Sequence, residues 1–335
     1  MKKIALEEHF TIQAHLDHLR TRKDCPRLEA TPEGRYILYR TPTSTQTLPK
    51  EQVDQLLDMD AGRLAEMDRV GIDMQVLSMS GPGVEELDIE SGADLAKKSN
   101  DGLARAIARH PGRLSGFATL AYRDVKASCA ELERAVKQLR LKGAKLNSHV
   151  GGEYLDDRKY WPLFETAQSL NVPIYLHPKE PPQGIYDALA AYPEMTRAMW
   201  GYSMDGSLHA MRLICSGLFD AFPRLQVLLG HMGEGIPFWL WRIDNRWLST
   251  ARKNPKRPPG DYFRENFFVT TSGMFGLQAF QCVYQTLGAE RILFAVDYPF
   301  ESNDMGARFI ESVPIAEGDK AKICHLNAER LLGLA

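Results

Sequence analysis

The chain is 335 residues long, 44% hydrophobic and 25% charged, with a formal net charge of -2. That length suits one large α/β unit, and the near-neutral balance excludes both the basic field of a nucleic-acid-binding protein and an acidic tail. No apolar run approaches the roughly 18 residues needed to span a bilayer, and the start (two lysines, three apolar residues, then acids) does not read as a secretory signal.

In chain order, a first strand over 3–7 (KIALE) runs into the charged step Glu7-Glu8-His9. Residues 20–60, rich in Arg, Thr and Pro, are expected as an irregular insertion arm, long enough to be functional or to reach another subunit. AGRLAEMDRVG (61–71) reads as a helix stopped by Gly71, and DMQVLSM (73–79) as the second strand. ESGADLAKKSNDGLARAIARH (90–110) spaces its apolar residues as a helix does, and LSGFATL (114–120) follows as strand three. DVKASCAELERAVKQLR (124–140) is a helix with Asp124 as N-cap, before strands at 143–148 (GAKLNS) and 172–177 (VPIYLH). DGSLHAMRLICSGLFDAFP (205–223) is helical to its proline, and strands at 225–230, 266–271 and 291–297 complete the series, with a polar insertion at 251–261. The cysteines at 25, 129, 215, 282 and 324 are odd in number and lack CxxC spacing, which points to reduced thiols and a cytoplasmic protein.

Eight apolar strands alternating with helices predict a (β/α)8 TIM barrel over 1–335 as a single domain, with the arm inserted after strand one. A doubly wound sheet would want a glycine-rich turn after strand one, where this chain has EEHF. On a barrel the C-terminal strand ends share one mouth, so Glu7, His9, His177 and Asp297 are expected together there although they are remote in sequence. Strand alternation puts Glu7 and His9 on one face and Glu8 on the other, toward the outer shell or a neighbouring loop. Imidazole and carboxylate without thiolate suit one Zn²⁺ or Mn²⁺ ion. His231 and Glu234, three apart in HMGE, would share a face at the start of a helix, with Glu234 orienting the imidazole. The alternative for His231 is a fifth ligand or a plain hydrogen-bond donor. His149 falls near the mouth and is a candidate substrate contact.

The segments ALEEHF, MDRVGID (67–73), LKGAKLNSH (141–149), YLHP (175–178), the long run 213–244 through LLGHMGEGIPFWLWRID, and ILFAVDYPFES (292–302) resemble the metal-dependent decarboxylase branch of the amidohydrolase superfamily over nearly the full length. The resemblance implies metal ligation by Glu7, His9, His177 and Asp297, with Asp297 as proton donor to the ring and His231 and Glu234 managing that proton. It also implies substrate contacts from Arg242, whose alternative is a surface salt bridge, and from Arg63. The implied reaction is non-oxidative loss of CO₂ from an ortho-hydroxylated aromatic acid, dihydroxybenzoate- or carboxyvanillate-like, without an organic cofactor. The alternative is a metal-dependent hydrolase or hydratase on the same barrel, acting on a lactone or related substrate. A homodimer or homotetramer is implied, and no nucleic-acid or membrane partner.

Overall fold

The computed structural model describes residues 1–250 and 254–334; residues 251–253, the start of the polar insertion, lie outside the described residues. The barrel strands are β1 (Ile4–Phe10), β2 (Met74–Met79), β3 (Leu114–Gly116 continued by Ala118–Thr119), β4 (Ala144–Asn147), β5 (Ile174–His177), β6 (Val227–Leu229), β7 (Phe267–Thr270) and β8 (Ile292–Leu293). Neighbours pair in parallel in chain order. The circle closes through backbone bonds from Phe117 N–H to Leu77 O (2.9 Å), Leu6 N–H to Phe294 O (3.1 Å) and His9 N–H to Tyr298 O (2.7 Å). The fold is therefore a TIM barrel. β8 ladders with β7 only over its two residues, and the chain beyond it, to Tyr298, bonds both to β1 and to Thr271 and Gly273 after β7.

β1 is longer than KIALE and carries an irregularity that the sequence does not announce. Its register against β2 moves from Ala5↔Gln75 to Glu8↔Leu77, one extra residue on β1. Below this bulge Ile4 and Leu6 pack inward with Met74, Val76, Tyr175, Leu228 and Leu293, over Ala328 and Leu332 of the C-terminal helix that plugs the barrel floor. Above it the parity has changed, so Glu7 and His9 point inward and Phe10 joins the outer core.

The helical expectations hold at Ala61–Val70, where Gly71 at φ 70° ends the helix, and at Val125–Lys137, where the Asp124 side chain accepts the Ala127 N–H at 3.0 Å. The segment from 205 is helical from Gly201 to Cys215, then breaks at Gly217 (φ 83°) before Leu218–Ala221. Among the described residues no helix is long and apolar enough to cross a membrane.

The arm is not irregular. Helix Gln13–Thr21 leads into an antiparallel sheet of Arg27–Ala30, Tyr36–Tyr39 and Thr45–Leu48, then helix Lys50–Leu57. Each strand is four residues long and buries one leucine, Leu28, Leu38 or Leu48, against Leu16, Leu19 and Val53. His15 sits in this small core, where burial and then His18 push its pKa from 6.5 to about 3. Burial likewise lowers His149 to about 4 and holds His209 well below 6.5. The unfolded chain takes up these protons near pH 6.5 and the folded chain does not. Stability should thus decline as pH falls below about 6.5, by about 1.4 kcal/mol per pH unit for each such histidine until its folded pKa is reached. Urea midpoints between pH 7.5 and 5 should show this fall, and His15→Leu should flatten part of the slope.

Candidate metal centre and active site

Four side chains converge at the C-terminal mouth: Glu7 and His9 from β1, His177 from the end of β5 and Asp297 after β8, with one ligand atom of each lying within 4.8 Å of all the others. Glu7 is held from one side. Its Oε2 accepts the hydroxyls of Tyr175, Ser272 and Thr270, the last at 3.2 Å. Its Oε1 is buried without a hydrogen-bond partner and faces His177 Nε2 at 3.5 Å. His177 Nδ1 donates to Pro178 O at 2.7 Å, which fixes the tautomer and leaves the Nε2 lone pair free. His9 Nε2 lies 2.8 Å from Asp297 Oδ1, yet both atoms are buried without a well-formed hydrogen bond, as two lone pairs aimed at a common point would be. Burial and then Lys145 keep both His9 and His177 below the ordinary imidazole range, in the neutral form that a metal ligand requires. Orphaned oxygens and neutral imidazoles in one cluster fit a divalent cation.

Asp297 owes its place to Glu8. The Glu8 carboxylate is fully buried and accepts the Val296 N–H at 2.9 Å and the Tyr298 N–H at 3.1 Å, gripping the chain on both sides of Asp297, which stands at φ 83°. Burial resists ionisation of Asp297, but contacts from His231 and His9 hold its carboxyl below the usual range.

His231 Nδ1 and Glu234 Oε1 meet at 2.6 Å, and His231 Nε2 lies 3.9 Å from Asp297 Oδ2 and from Glu7 Oε1. The pair does not meet by helical spacing as expected. His231, Met232 and Glu234 all have positive φ (50°, 55° and 53°), so a left-handed turn brings them together ahead of the helix Ile236–Trp247. Burial disfavours the His231 cation, but Glu234, then Glu7 and Asp297, outweigh it and raise the pKa well above 6.5.

Of the three expected substrate contacts, one needs correction. Arg63 does not reach the mouth. It is 1% exposed behind β1 and donates to Asp58 O (2.6 Å), His9 O (2.7 Å), Gln55 O (3.0 Å) and Gln75 Oε1 (3.0 Å). Arg63→Ala should lower unfolding free energy by about 3–5 kcal/mol, because several buried acceptors lose a charged donor. Denaturant titration should reveal that loss, and the KM for substrate should change far less. Arg242 is exposed on the helix Ile236–Trp247, outside the cavity wall of its own chain. His149 does line the cavity, but both ring nitrogens are engaged by backbone: Nδ1 accepts the Gly152 N–H (3.1 Å) and Nε2 bonds Glu180 O (2.9 Å). It props the loop after β5 and has no nitrogen left for a ligand.

The cluster opens into a cavity of about 800 Å³, walled by Pro181, Pro182 and Tyr186, which follow β5, and by several polar residues. Arg40 enters from the arm, bonded to Gln46 Oε1 (2.9 Å) and Gly81 O (3.3 Å). Glu85 and Glu86 follow β2, Asn147 ends β4, and Lys179 pairs with Glu86. The one available signal was SGPGVEEL, a second acid pair just past a strand.

The amidohydrolase family matches residues 12–334. A gamma-resorcylate decarboxylase of Rhizobium radiobacter is 42% identical, over 99% of this chain and 98% of its own. The structure of 5-carboxyvanillate decarboxylase from Sphingomonas paucimobilis superposes with a TM-score of 0.89 at 36% identity, covering 100% of this chain and 99% of that one. A dihydroxybenzoic acid decarboxylase from Polaromonas, solved with manganese and the inhibitor 2-nitroresorcinol, gives 0.86 at 38% identity, covering 99% and 97%.

Proposed function

The chain belongs to the amidohydrolase family, and from that premise we propose that it is a metal-dependent carboxy-lyase that removes CO₂ non-oxidatively from an ortho-hydroxylated aromatic acid. The observation that carries this reading is the orphaned ligand cluster beside the His231–Glu234 pair in one cavity. Glu7, His9, His177 and Asp297 would hold one Mn²⁺ or Zn²⁺. Such an ion supplies a Lewis-acid and electrostatic template for carboxylate and phenolate oxygens.

This chain's own residues do the rest. Arg197 lines the cavity and offsets the charge of an anionic acid, beside Arg40, which also faces Glu180 at 3.4 Å. The aromatic ring takes a proton at the carboxyl-bearing carbon. The C–C bond then breaks, CO₂ leaves, and its electron pair restores aromaticity. Asp297, ionised at rest, first takes a proton from His231 and then delivers it to the ring. His231, kept cationic by Glu234, recharges Asp297. CO₂ release from a panel of hydroxybenzoates by Mn²⁺-loaded protein, lost on chelation and regained on re-addition, tests the reading. Full turnover without metal, or no CO₂ from any member of the panel, overturns it.

We place the enzyme in the cytoplasm, in keeping with the free thiols of Cys25, Cys129, Cys282 and Cys324. Its assembly is a homodimer or homotetramer, built on the helix Ile236–Trp247, where Phe238, Trp239 and Trp241 stand 72%, 54% and 75% exposed. Sedimentation should find an oligomer, and Trp241→Glu should shift it toward monomer.

A further inference from the structure

The chemistry gathers on one side of the mouth. Glu7 and His9 lie on β1, His177 on β5, and His231 and Asp297 follow β6 and β8. Glu85 and Asn147 face the same cavity from the flank after β2 and at the end of β4, Asn147 standing beside His177 in the β4–β5 ladder. Glu85 is 2% exposed, and its Oε2 accepts the Asn147 Nδ2–H at 3.3 Å. That single bond leaves Glu85 Oε1 and Asn147 Oδ1 buried without partners. Lys179 is committed to Glu86, and the buried Lys145 Nζ, whose charge acts on Glu7, Glu85 and Asp297 alike, makes no hydrogen bond to either group.

The pair is also built into the backbone. A methyl at Gly83 would overlap both Glu85 Oε2 and Asn147 Nδ2, so only glycine lets the loop after β2 lie against them. Two buried acceptors side by side ask for hydrogen-bond donors from whatever fills the cavity. A second anion is unwelcome beside Glu85, so the substrate carboxylate turns away from this wall, toward the ion cluster and Asp297. The ring positions far from the carboxylate then meet Glu85 and Asn147.

We propose that Glu85 and Asn147 form a hydroxyl-recognition subsite, which takes a ring hydroxyl remote from the reacting carbon and selects polyhydroxylated over monohydroxylated benzoates. This deepens the decarboxylase reading and rests on it. Burial pushes the Glu85 carboxyl up to about 7, with Lys179 opposing, so near neutrality it can accept from a phenol in one form and donate to it in the other. A site made to bond a hydroxyl rejects the analogue lacking it, because its own buried groups stay unpaired.

The test is the kcat/KM ratio of dihydroxybenzoate isomers to 2-hydroxybenzoate with Mn²⁺-loaded protein. Wild type should favour its best dihydroxy acid by about 100-fold or more, and Glu85→Leu and Asn147→Leu should each cut that ratio by about tenfold or more. Ratios unchanged in both leucine variants, at unchanged metal content, overturn the subsite. If a leucine variant does not fold, the isosteric Glu85→Gln decides: a ratio lowered by about threefold or more supports the subsite and an unmoved one overturns it. Wild type that releases no CO₂ overturns the decarboxylase reading alone. Calorimetry with resorcinol and phenol then still reads the pair. Tighter binding of resorcinol that is lost in Glu85→Leu supports the subsite, and equal affinities in wild type refute it.

Discussion

Asp297→Asn should lower kcat by about 10³-fold, in the middle of the range for losing a positioned general acid. Asparagine keeps the shape and tolerates a left-handed backbone such as the φ of 83° found here. The fold should therefore survive, and titration with a non-reactive nitrophenol analogue should show binding within a few-fold of wild type. That split between binding and turnover is what a proton donor gives and a purely structural residue does not. A variant retaining more than about a tenth of the rate would remove Asp297 from the proton path.

The second large effect separates two neighbouring glutamates. Glu7→Ala should weaken metal binding by more than about 100-fold, beyond the usual loss for groups that only support a ligand. It deletes a carboxylate whose free oxygen faces His177 at 3.5 Å. Glu8→Ala should retain the metal at saturating Mn²⁺ but cost about 3 kcal/mol or more of stability, because the Val296 and Tyr298 N–H groups lose their acceptor. Metal analysis after dialysis and urea unfolding together read the two outcomes. Equal metal loss in both variants would mean that Glu8 acts on the ion through Asp297 and not on stability alone.

Much of this architecture was legible because parallel barrel strands are buried on both faces and stand out as short apolar runs. The ligand set was legible because polar residues ending such runs need a reason to be there. The bulge between Ala5 and Glu8 was not legible. Strict alternation from Ile4 and Leu6 would send Glu8 inward, and only the extra residue puts Glu7 and His9 at the mouth. The turn at His231–Glu234 was hidden in the same way, since three non-glycine residues with positive φ leave no mark on composition. Arg63 misled because the resemblance alone suggested it: it stands in the first turn of its helix, but its side chain turns behind β1 to bond the His9 carbonyl. The arm strands escaped because four-residue segments with one buried leucine each carry too little periodicity. Glu85 and Arg40 lie on connections, where sequence pattern says little about which way a side chain points.

The arm is a separate three-stranded sheet with no ladder to the barrel strands, yet it delivers Arg40 to the cavity. Its strands can thus vary in length and sequence without breaking a barrel ladder, while its helix Lys50–Leu57 stays tied to the barrel through Gln52 to Pro299 O and the Thr11 N–H to Leu56 O. Evolution, or an engineer grafting arms between relatives, can reshape what enters this site while inheriting the catalytic centre intact.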